Sequence, residues 1–392
     1  MNDPIVILSA TRTPIGGFLG ELAPASAIDL GGTAIRAAVQ RAGLNPEQIE
    51  EVLFGNCLMA GLRQAPARQA AHAAGLPRSA GATTLTKMCG SGMKAAMLAH
   101  DVLLAGSAEI VVAGGMESMS NAPYLLPKGR TGLRMGHGQV LDHMMTDGLE
   151  DAYEGKAMGL FAEDCASKYA FTREQQDAFA IRSTQRSKLA NEDGSFDWEL
   201  APVTIQTRKG DLQITRDEQP FKAQLDKIGG LKPAFRKDGT ITAANASSIS
   251  DGAAALVLAR LSTAERLGLT PVARLVAHAT HAHAPEWFTT APVGAIEKLY
   301  AKTGWATSNV DLFEINEAFA VVTMAAMQEH GLAPEVTNIH GGACALGHPI
   351  GASGARIMAT LIGALRKTGG KRGVAALCIG GGEAVACAIE LF

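Results

Sequence analysis

Cys89 is the side chain in this sequence best suited to nucleophilic chemistry. It lies in Thr86-Lys87-Met88-Cys89-Gly90-Ser91-Gly92, followed by small and apolar residues at helical spacing. This pattern predicts a sharp turn into a helix with Cys89 at its N-terminus, where peptide dipoles lower the pKa of a thiol. Gly90 and Gly92 carry no side chains, so we expect another backbone or a ligand to approach the sulfur closely. The alternative is an inert, buried cysteine.

Three residues near the C-terminal end supply a base, an amide and a second thiol. His348 precedes Pro349 at a predicted helix start, where its imidazole can deprotonate a cysteine. Asn316 can donate from its amide, directly or through a water. Cys378 ends a strand-like run, and the backbone N–H groups of the glycines from Gly380 onward can hold a developing oxyanion. Each residue alone also suits a structural role, but together they predict a site of covalent catalysis.

Alternating strands and helices are expected to position these residues. Strands are predicted at 5–9, 52–56 and 109–115, and helices at 26–42, at 64–75 and after Cys89, with a short helix opening at Pro46. This alternation predicts a mainly parallel sheet covered by helices on both faces.

The second half of the chain repeats the order of the first. Residues 272–276 resemble the opening strand, 311–316 resemble 52–56, and 376–383 resemble 112–117. Asn56 and Ser91 are 35 residues apart, and Asn316 and Ser353 are 37 apart. We therefore expect two related α/β halves packed face to face, with Cys89 from the first meeting the candidates from the second.

A segment of different character, about 119–248, lies between the halves. Thr172 and Gln175 predict a capping box for a helix over 172–189. Between Arg208 and Lys237 there are eight basic residues against four acidic ones. This stretch is interpreted either as solvated surface or as a landing site for a small molecule that carries phosphates.

Composition narrows the class of protein. A chain of 392 residues suggests two or three domains, and a net charge of −3 argues against general nucleic-acid or membrane-surface binding. The most apolar window, 91–105, is interrupted by charged residues, so no membrane-spanning helix is expected. The six cysteines form no CxxC pair, and the strand-like start does not resemble a signal peptide. We expect a cytoplasmic protein.

Over essentially its full length the sequence resembles the thiolases, the acetyl-CoA C-acyltransferases. The matching motifs are Met88-Cys89-Gly90-Ser91-Gly92, Gly114-Gly115-Met116-Glu117-Ser118-Met119-Ser120, Asn245-Ala246-Ser247, Asn316-Glu317-Ala318-Phe319-Ala320, Gly347-His348-Pro349-Ile350-Gly351-Ala352-Ser353-Gly354 and Cys378-Ile379-Gly380-Gly381-Gly382. The resemblance implies the α/β thiolase fold, with two duplicated βαβαβαββ halves in five layers and an inserted loop domain. The implied boundaries are 1–118 with 249–268, 119–248 for the loop domain, and 269–392. It also implies a homotetramer built as a dimer of dimers.

The resemblance implies acyl transfer in fatty acid metabolism through an acyl-Cys89 intermediate. Two acetyl-CoA would condense reversibly to acetoacetyl-CoA and CoA, or a 3-ketoacyl-CoA would be cleaved by CoA. His348 would activate Cys89, and Cys378 would exchange the α-proton. The N–H groups of Cys89 and Gly380 would form one oxyanion site, and His348 with a water on Asn316 the other. Coenzyme A is then a substrate, and no cofactor is expected. The implied substrate and CoA contacts are Ser247, Ala246, Phe235, Phe319, Ala318, Met158, Leu149 and Lys222.

Several positions depart from the common thiolase pattern. His340 replaces an asparagine and is expected to support the site from behind or to lie at an interface rather than to be a new catalyst, and Cys344 stands where an aliphatic residue is usual. Ala157 and Phe288 replace a frequent histidine and methionine, which leaves the acyl chain length open. Ser248 and Lys227 replace a frequent glycine and serine near the expected nucleotide contacts, so the phosphate contacts are not carried over in detail.

Alternative classes fit less well. A ketoacyl or HMG-CoA synthase shares the duplicated fold but is not expected to keep Cys378, and a Rossmann oxidoreductase needs G-x-G-x-x-G where residues 10–17 lack it. A degradative thiolase for longer or modified acyl chains stays open, as does a non-catalytic scaffold subunit, although all four candidate residues are present. His281 and His283 have no evident third ligand, so no metal site is expected.

Overall fold

The computed structural model describes residues 3–392. Its strands are β1 (Ile5–Arg12), β2 (Gly16–Gly17), β3 (Glu51–Gly55), β4 (Gly81–Leu85), β5 (Ile110–Ser118), β6 (Tyr124–Leu125), β7 (Leu141–Asp142), β8 (Val203–Thr207), β9 (Gly210–Ile214), β10 (Ser250–Arg260), β11 (Ala273–Ala282), β12 (Leu312–Ile315), β13 (Arg372–Ile379) and β14 (Glu383–Leu391). Its α-helices are α1 (Ala27–Arg41), α2 (Pro66–Ala73), α3 (Ser91–Ala105), α4 (Met158–Lys168), α5 (Arg173–Glu192), α6 (Gln219–Lys222), α7 (Leu261–Arg266), α8 (Ala291–Thr303), α9 (Ala320–His330), α10 (Ala343–Leu346) and α11 (Ile350–Thr368). A π-helix covers Met145–Leu149, and 3₁₀-helices cover Pro46–Gln48, Met119–Asn121, Leu225–Gly230, Pro285–Thr290, Thr307–Asn309 and Pro334–Val336.

The elements predicted for the first half are present, with bounds shifted by a few residues. The three predicted strands are β1, β3 and β5, and the two predicted helices that precede Cys89 are α1 and α2. The short helix that opens at Pro46 is a single 3₁₀ turn. The capping box predicted for α5 is formed, since the hydroxyl of Thr172 accepts from the backbone N–H of Gln175 while the Gln175 side chain accepts from that of Thr172.

The prediction of a mainly parallel sheet is wrong, because the sheet is mixed. Its order is β12-β13-β14-β11-β1-β10-β5-β3-β4, with the short β2 beside β10. Only the pairs β12/β13, β3/β5 and β3/β4 are parallel within the described residues. Strands β10 and β14 are long, apolar and antiparallel to both neighbours. They are covered on both faces, and such burial produces a continuous apolar run whatever the strand direction.

The two halves pack their sheets and helices in layers around the central helices α3 and α11. Strands β1, β3, β4, β5 and β10 form the first half's sheet, and β11 to β14 form the second's. The sheets join where β1 pairs with β11 over two residue pairs. Helices α3 and α11 pack against each other between the sheets, α1 and α2 cover the first sheet outside, and α8 and α9 cover the second. These are the five layers that the thiolase resemblance implied.

The chain between β5 and β10 carries the inserted segment. It contains α4, α5 and α6, the π-helix and two small hairpins, β6/β7 and β8/β9. The segment is tied to β1 by fully buried charges, since Arg12 donates to Glu199 and, over 2.7 Å, to Asp217. The backbone N–H of Ser247 donates to the carbonyl of Ala318, which brings the end of the segment against the second half.

No helix within residues 3–392 combines the length and the apolar character that a membrane crossing requires.

Candidate active site

Cys89 lies in the tight turn between β4 and α3. Met88 has φ 46°, in the left-handed region that non-glycine residues rarely adopt, and Gly90 caps the helix. A side chain on Gly90 would meet Ile379 of the second half, and one on Gly92 would lie 2.8 Å from the backbone nitrogen of Ala355. The predicted close approach of another backbone is therefore present at Gly92, which lets α3 pack directly on α11, whereas Gly90 makes room for Ile379.

The predicted low pKa of the Cys89 thiol is wrong. Burial raises the pKa of Cys89 to about 11, while the backbone N–H groups of Gly380 and of Cys89 itself act in the opposite direction. The thiol stands one residue before the helix cap and opens onto an apolar cavity. Removal of water from the thiolate outweighs the helix dipole there, so the resting sulfur is protonated.

His348 is a buried, neutral imidazole with one free nitrogen. Its Nδ1 lies 2.5 Å from the Ser353 hydroxyl, which also contacts the Pro349 carbonyl over 3.0 Å. A serine has one hydrogen, so both contacts are hydrogen bonds only if Ser353 donates to the carbonyl and Nδ1–H donates to Ser353. Nε2 is then the unprotonated atom, and it contacts no hydrogen-bonding group among the described residues. Burial, with the charge of Arg356, lowers the pKa of His348 to about 3.

Cys378 and Gly380 approach Cys89 from the second half. Cys378 is fully buried near the end of β13, in an apolar cluster that includes Phe319. Burial and the neighbouring Cys89 sulfur both raise the pKa of Cys378. Gly380 lines the same cavity as Cys89 and directs its backbone N–H at that sulfur. Cys378 thus lies behind the cavity wall, where it makes a weak acid.

Asn316 follows β12 and is held from two sides. Its backbone N–H donates to the carbonyl of Ala376 over 3.0 Å, and its Oδ1 accepts from Arg356 over 3.4 Å. Its Nδ2 is buried and meets no acceptor in the described part of the chain. Asn316 therefore has one amide hydrogen-bond donor group to spare beside the cavity wall.

A cavity of about 450 Å³ joins these groups to the inserted segment. Cys89, His348 and Gly380 lie on its wall, whereas Cys378 and Asn316 do not line it. Seven of the eight predicted contact residues line it, namely Leu149, Met158, Phe235, Ala246, Ser247, Ala318 and Phe319. The eighth, Lys222, does not. Ala157 and Phe288, the two departures from the common pattern, also line the cavity.

A second cleft of about 360 Å³ continues from this cavity and contains Lys222. The two share Ala243 and Ser248 in their walls, and Lys227 and Cys344 also line the second. Lys222 donates to Glu218 rather than standing free. The remaining basic residues of the predicted stretch line neither the cavity nor this cleft. Arg236, for example, donates to Asp164 over 2.6 Å.

Glu117 is a supporting residue whose role the sequence did not reveal. Its carboxylate accepts from Asn56 Nδ2 (2.6 Å) and from the backbone N–H groups of Cys57 (3.0 Å), Leu58 (3.1 Å) and Gly351 (2.9 Å). One buried side chain of β5 thereby joins the loop after β3 to the start of α11. Its place inside a matching motif was the only signal in the sequence, and that signal could not identify partners 60 and 234 residues away.

Sequence reasoning also missed apolar members of the cavity wall. They are Met88, Met119, Met145, Ile249 and Ile350. An isolated methionine or isoleucine in a sequence reads as core, so only the fold could assign these side chains to a cavity.

His340 and Cys344 do not face Cys89. His340 packs edge-on against Phe196 with ring centroids 5.7 Å apart, and burial lowers its pKa to about 4. The backbone N–H of Cys344 donates to Glu317 over 3.0 Å, and burial raises the pKa of the Cys344 thiol. His340 is thus placed as a packing residue, and Cys344 lies at the second cleft.

One group of potential metal ligands occurs among the described residues, away from the cavity. Asp101 Oδ1 lies 3.2 Å from His100 Nδ1 and 2.9 Å from His278 Nε2. Ordinary hydrogen bonds account for these distances. The rings of His281 and His283 are 5.1 Å apart, and the two residues belong to no group of three ligands within residues 3–392.

Two protein-family models match the sequence. Residues 5–262 match the family model of the thiolase N-terminal domain and residues 269–391 that of the thiolase C-terminal domain. The chain belongs to the thiolase family.

Similar proteins extend over the whole chain. It is 50% identical to acetyl-CoA acetyltransferase 2 of Arabidopsis thaliana over 390 residues, which covers 99% of this chain and 97% of that protein. The crystal structure of the Bacillus anthracis acetyl-CoA acetyltransferase matches with a TM-score of 0.97 and 41% identity, covering 100% and 99% of the two chains. A thiolase from Ascaris suum in complex with coenzyme A matches with a TM-score of 0.94 and 43% identity, covering 99% and 100%.

Proposed function

We propose that this protein is an acetyl-CoA C-acetyltransferase that condenses two acetyl-CoA reversibly to acetoacetyl-CoA and CoA. The observation that carries the proposal is the convergence of three groups on one apolar cavity. Cys89, His348 and Gly380 all line it, the Gly380 N–H is directed at the Cys89 sulfur, and Nε2 of His348 has no hydrogen-bond partner among the described residues. A nucleophile, a base and an oxyanion donor are what acyl transfer requires.

The first half-reaction transfers the acetyl group to Cys89. His348 Nε2 takes the thiol proton as the sulfur attacks the thioester carbonyl, and the backbone N–H groups of Cys89 and Gly380 stabilise the oxyanion. The C–S bond to CoA then breaks, and the imidazolium returns the proton to the leaving CoA thiolate. The products are acetyl-Cys89 and CoA, which predicts ping-pong kinetics.

The second half-reaction forms the carbon–carbon bond. Cys378 gives its thiol proton to Nε2 of His348, and the resulting thiolate takes an α-proton from a second acetyl-CoA. Nε2–H of His348, with a water on Asn316, stabilises the enolate oxygen. The enolate attacks acetyl-Cys89, the bond between the acetyl carbon and the Cys89 sulfur breaks, and that sulfur takes the proton from Nε2 of His348, which restores both thiols and the neutral imidazole. No net proton is exchanged in this step. A thiol with a raised pKa suits it, because its thiolate is a strong base.

The inserted segment is proposed to bind coenzyme A as a loop domain of residues 119–248. The halves would then comprise 1–118 with 249–268, and 269–392. The seven predicted residues on the cavity wall would contact pantetheine and the acyl group. Lys222 and Lys227, which line the adjoining cleft, would meet the nucleotide phosphates. In the proposed reaction, coenzyme A is substrate and product rather than a bound cofactor.

The acyl chain length divides this proposal from a degradative thiolase for longer or modified 3-ketoacyl-CoA. Ala157 leaves space in the wall, and Phe288 fills another part of it. The decisive measurement compares kcat/KM for thiolysis of acetoacetyl-CoA with that of longer 3-ketoacyl-CoA thioesters. A preference for acetoacetyl-CoA is expected, and a preference for longer chains would favour the degradative alternative.

The covalent step is tested by mass spectrometry after incubation with acetyl-CoA. We expect acetyl-Cys89 in the parent protein and no acetylated protein in Cys89→Ala. Cys387→Ala is a matched control, because that thiol is buried in β14 outside the cavity. Acetylation that persists in Cys89→Ala would refute the nucleophile, and complete absence of acetylation in the parent would favour a scaffold role.

Assembly as a homotetramer in the cytoplasm is also part of the proposal. Strand β4 pairs with β3 alone among the described strands, so its other edge is open to a second copy. The connection from β6 to β7 exposes several apolar side chains, with Met135 98% accessible. The six cysteines are free thiols, as in a reducing compartment. Light scattering in solution tests the tetramer.

A further inference from the structure

One buried polar face of α11 connects two of the residues assigned to catalysis. Ser353 and Arg356 are three residues apart and so lie on the same face of the helix. Ser353 accepts from His348, and Arg356 donates to Oδ1 of Asn316 over 3.4 Å. The position of this helix therefore determines the placement of both catalytic side chains.

Arg356 determines which way the Asn316 amide points. A guanidinium has only donors, so the atom of Asn316 that faces it must be Oδ1. Nδ2 is consequently on the far side of the amide, buried and without an acceptor in residues 3–392. An amide turned the other way would place N–H against N–H, so the orientation depends on the Arg356 donor.

Ion pairing does not by itself account for an arginine at this position. Arg356 is 2% exposed, and its Nη1 lies 3.8 Å from Glu314, its nearest carboxylate. Neither Nε nor Nη1 of Arg356 has a hydrogen-bond partner among the described residues, and Oε1 of Glu314 also lacks one. A buried pair with such loose geometry regains little of its desolvation cost, and apolar replacements of similar size are often as stable. The Arg356 charge also lowers the pKa of His348, but burial is the larger cause, so the imidazole is expected to stay neutral when the charge is removed.

We propose that Arg356 is a positioning residue that orients the Asn316 amide for the carbon–carbon bond-forming half-reaction. This inference rests on the proposed function, in which Asn316 acts on the enolate oxygen. Arg356 does not line the cavity and touches no reacting atom, so it acts through Asn316.

A double-mutant cycle tests this role. The pair-deleted variant combines Arg356→Met with Glu314→Leu, so that no buried charge is left alone. Loss of a charge-assisted hydrogen bond predicts that kcat for condensation falls by about 10- to 100-fold, with KM for acetyl-CoA nearly unchanged. The same pair deletion in the Asn316→Ala background is expected to cause no further loss. Thr360→Val, which removes a hydroxyl one turn along the same helix, is the control and should keep the parental kcat.

Two measurements separate the possible outcomes. A parent protein that forms neither acetyl-Cys89 nor acetoacetyl-CoA would overturn the proposed function, and this inference with it. In an active parent, an unchanged kcat after pair deletion, or an equal loss with and without Asn316, would overturn the inference alone. Arg356→Lys provides a second, charge-retaining variant for the same cycle if the pair-deleted protein does not fold. Its loss of kcat should likewise disappear in the Asn316→Ala background.

Discussion

Replacing Ser353 by alanine tests whether His348 is held as the tautomer that can accept a proton. The hydroxyl accepts from Nδ1–H over 2.5 Å in a buried environment, and this contact leaves Nε2 unprotonated. Without it, the Nδ1–H donor is unsatisfied, and the tautomer with the proton on Nε2, which cannot act as a base, becomes competitive. An unsatisfied buried donor costs about 1–3 kcal/mol, which corresponds to roughly 5- to 150-fold in rate.

The assay is the rate of acetyl-Cys89 formation, measured by rapid quench and mass spectrometry at saturating acetyl-CoA. Acetylation of Ser353→Ala is expected to be slower by that factor. Ser187→Ala is the matched control, because its hydroxyl is equally buried but donates to the carbonyl of His340 outside the cavity. A Ser353→Ala protein that is acetylated at the parental rate would refute the tautomer argument.

Three further experiments probe the catalytic residues and the side chains that support them. Cys378→Ser should still form acetyl-Cys89, while condensation falls by about 10²- to 10⁴-fold because the base is lost; loss of acetylation would instead place Cys378 in the first half-reaction. Glu117→Gln leaves one side-chain oxygen to accept from four donors, so two charge-assisted hydrogen bonds are lost. The free energy of unfolding, measured by urea titration, should fall by about 3–6 kcal/mol. An unchanged unfolding midpoint would contradict the proposed role of Glu117 in joining the two segments. Alkylation of Cys89 by iodoacetamide should accelerate about tenfold per pH unit from pH 7 to 10, since its pKa of about 11 makes the thiolate a minor species, whereas a rate that levels off near pH 7 would mean a low pKa.

The sequence predicted the fold wherever the pattern was local. Helix α5 was predicted from Thr172 and Gln175, and the paired halves were predicted from repeated motifs at similar spacings, 35 residues from Asn56 to Ser91 and 37 from Asn316 to Ser353. Strand direction was not predictable, because β10 is buried on both faces and its composition is the same for either direction.

The candidate site divides in the same way. The sequence identified Cys89, His348 and Gly380, which the structure brings onto one cavity. It could not predict the pKa of Cys89, because a helix start is readable from sequence whereas the apolar wall opposite the sulfur comes from distant segments. Arg356 was equally hidden, since a lone arginine in an apolar helix has no partner until β12 is placed beside it.

The shifted pKa values of Cys89 and His348 bear on how the reaction starts. Burial raises the first and lowers the second, so both shifts favour the uncharged thiol and imidazole at neutral pH. In the proposed reaction, proton transfer between them would then accompany attack on a carbonyl, when the backbone N–H groups of Cys89 and Gly380 would stabilise the new oxyanion. The apolar wall that disfavours the ion pair would also limit water near an acyl-Cys89. The desolvation that weakens the nucleophile at rest would therefore protect the proposed thioester intermediate until a second thioester arrives.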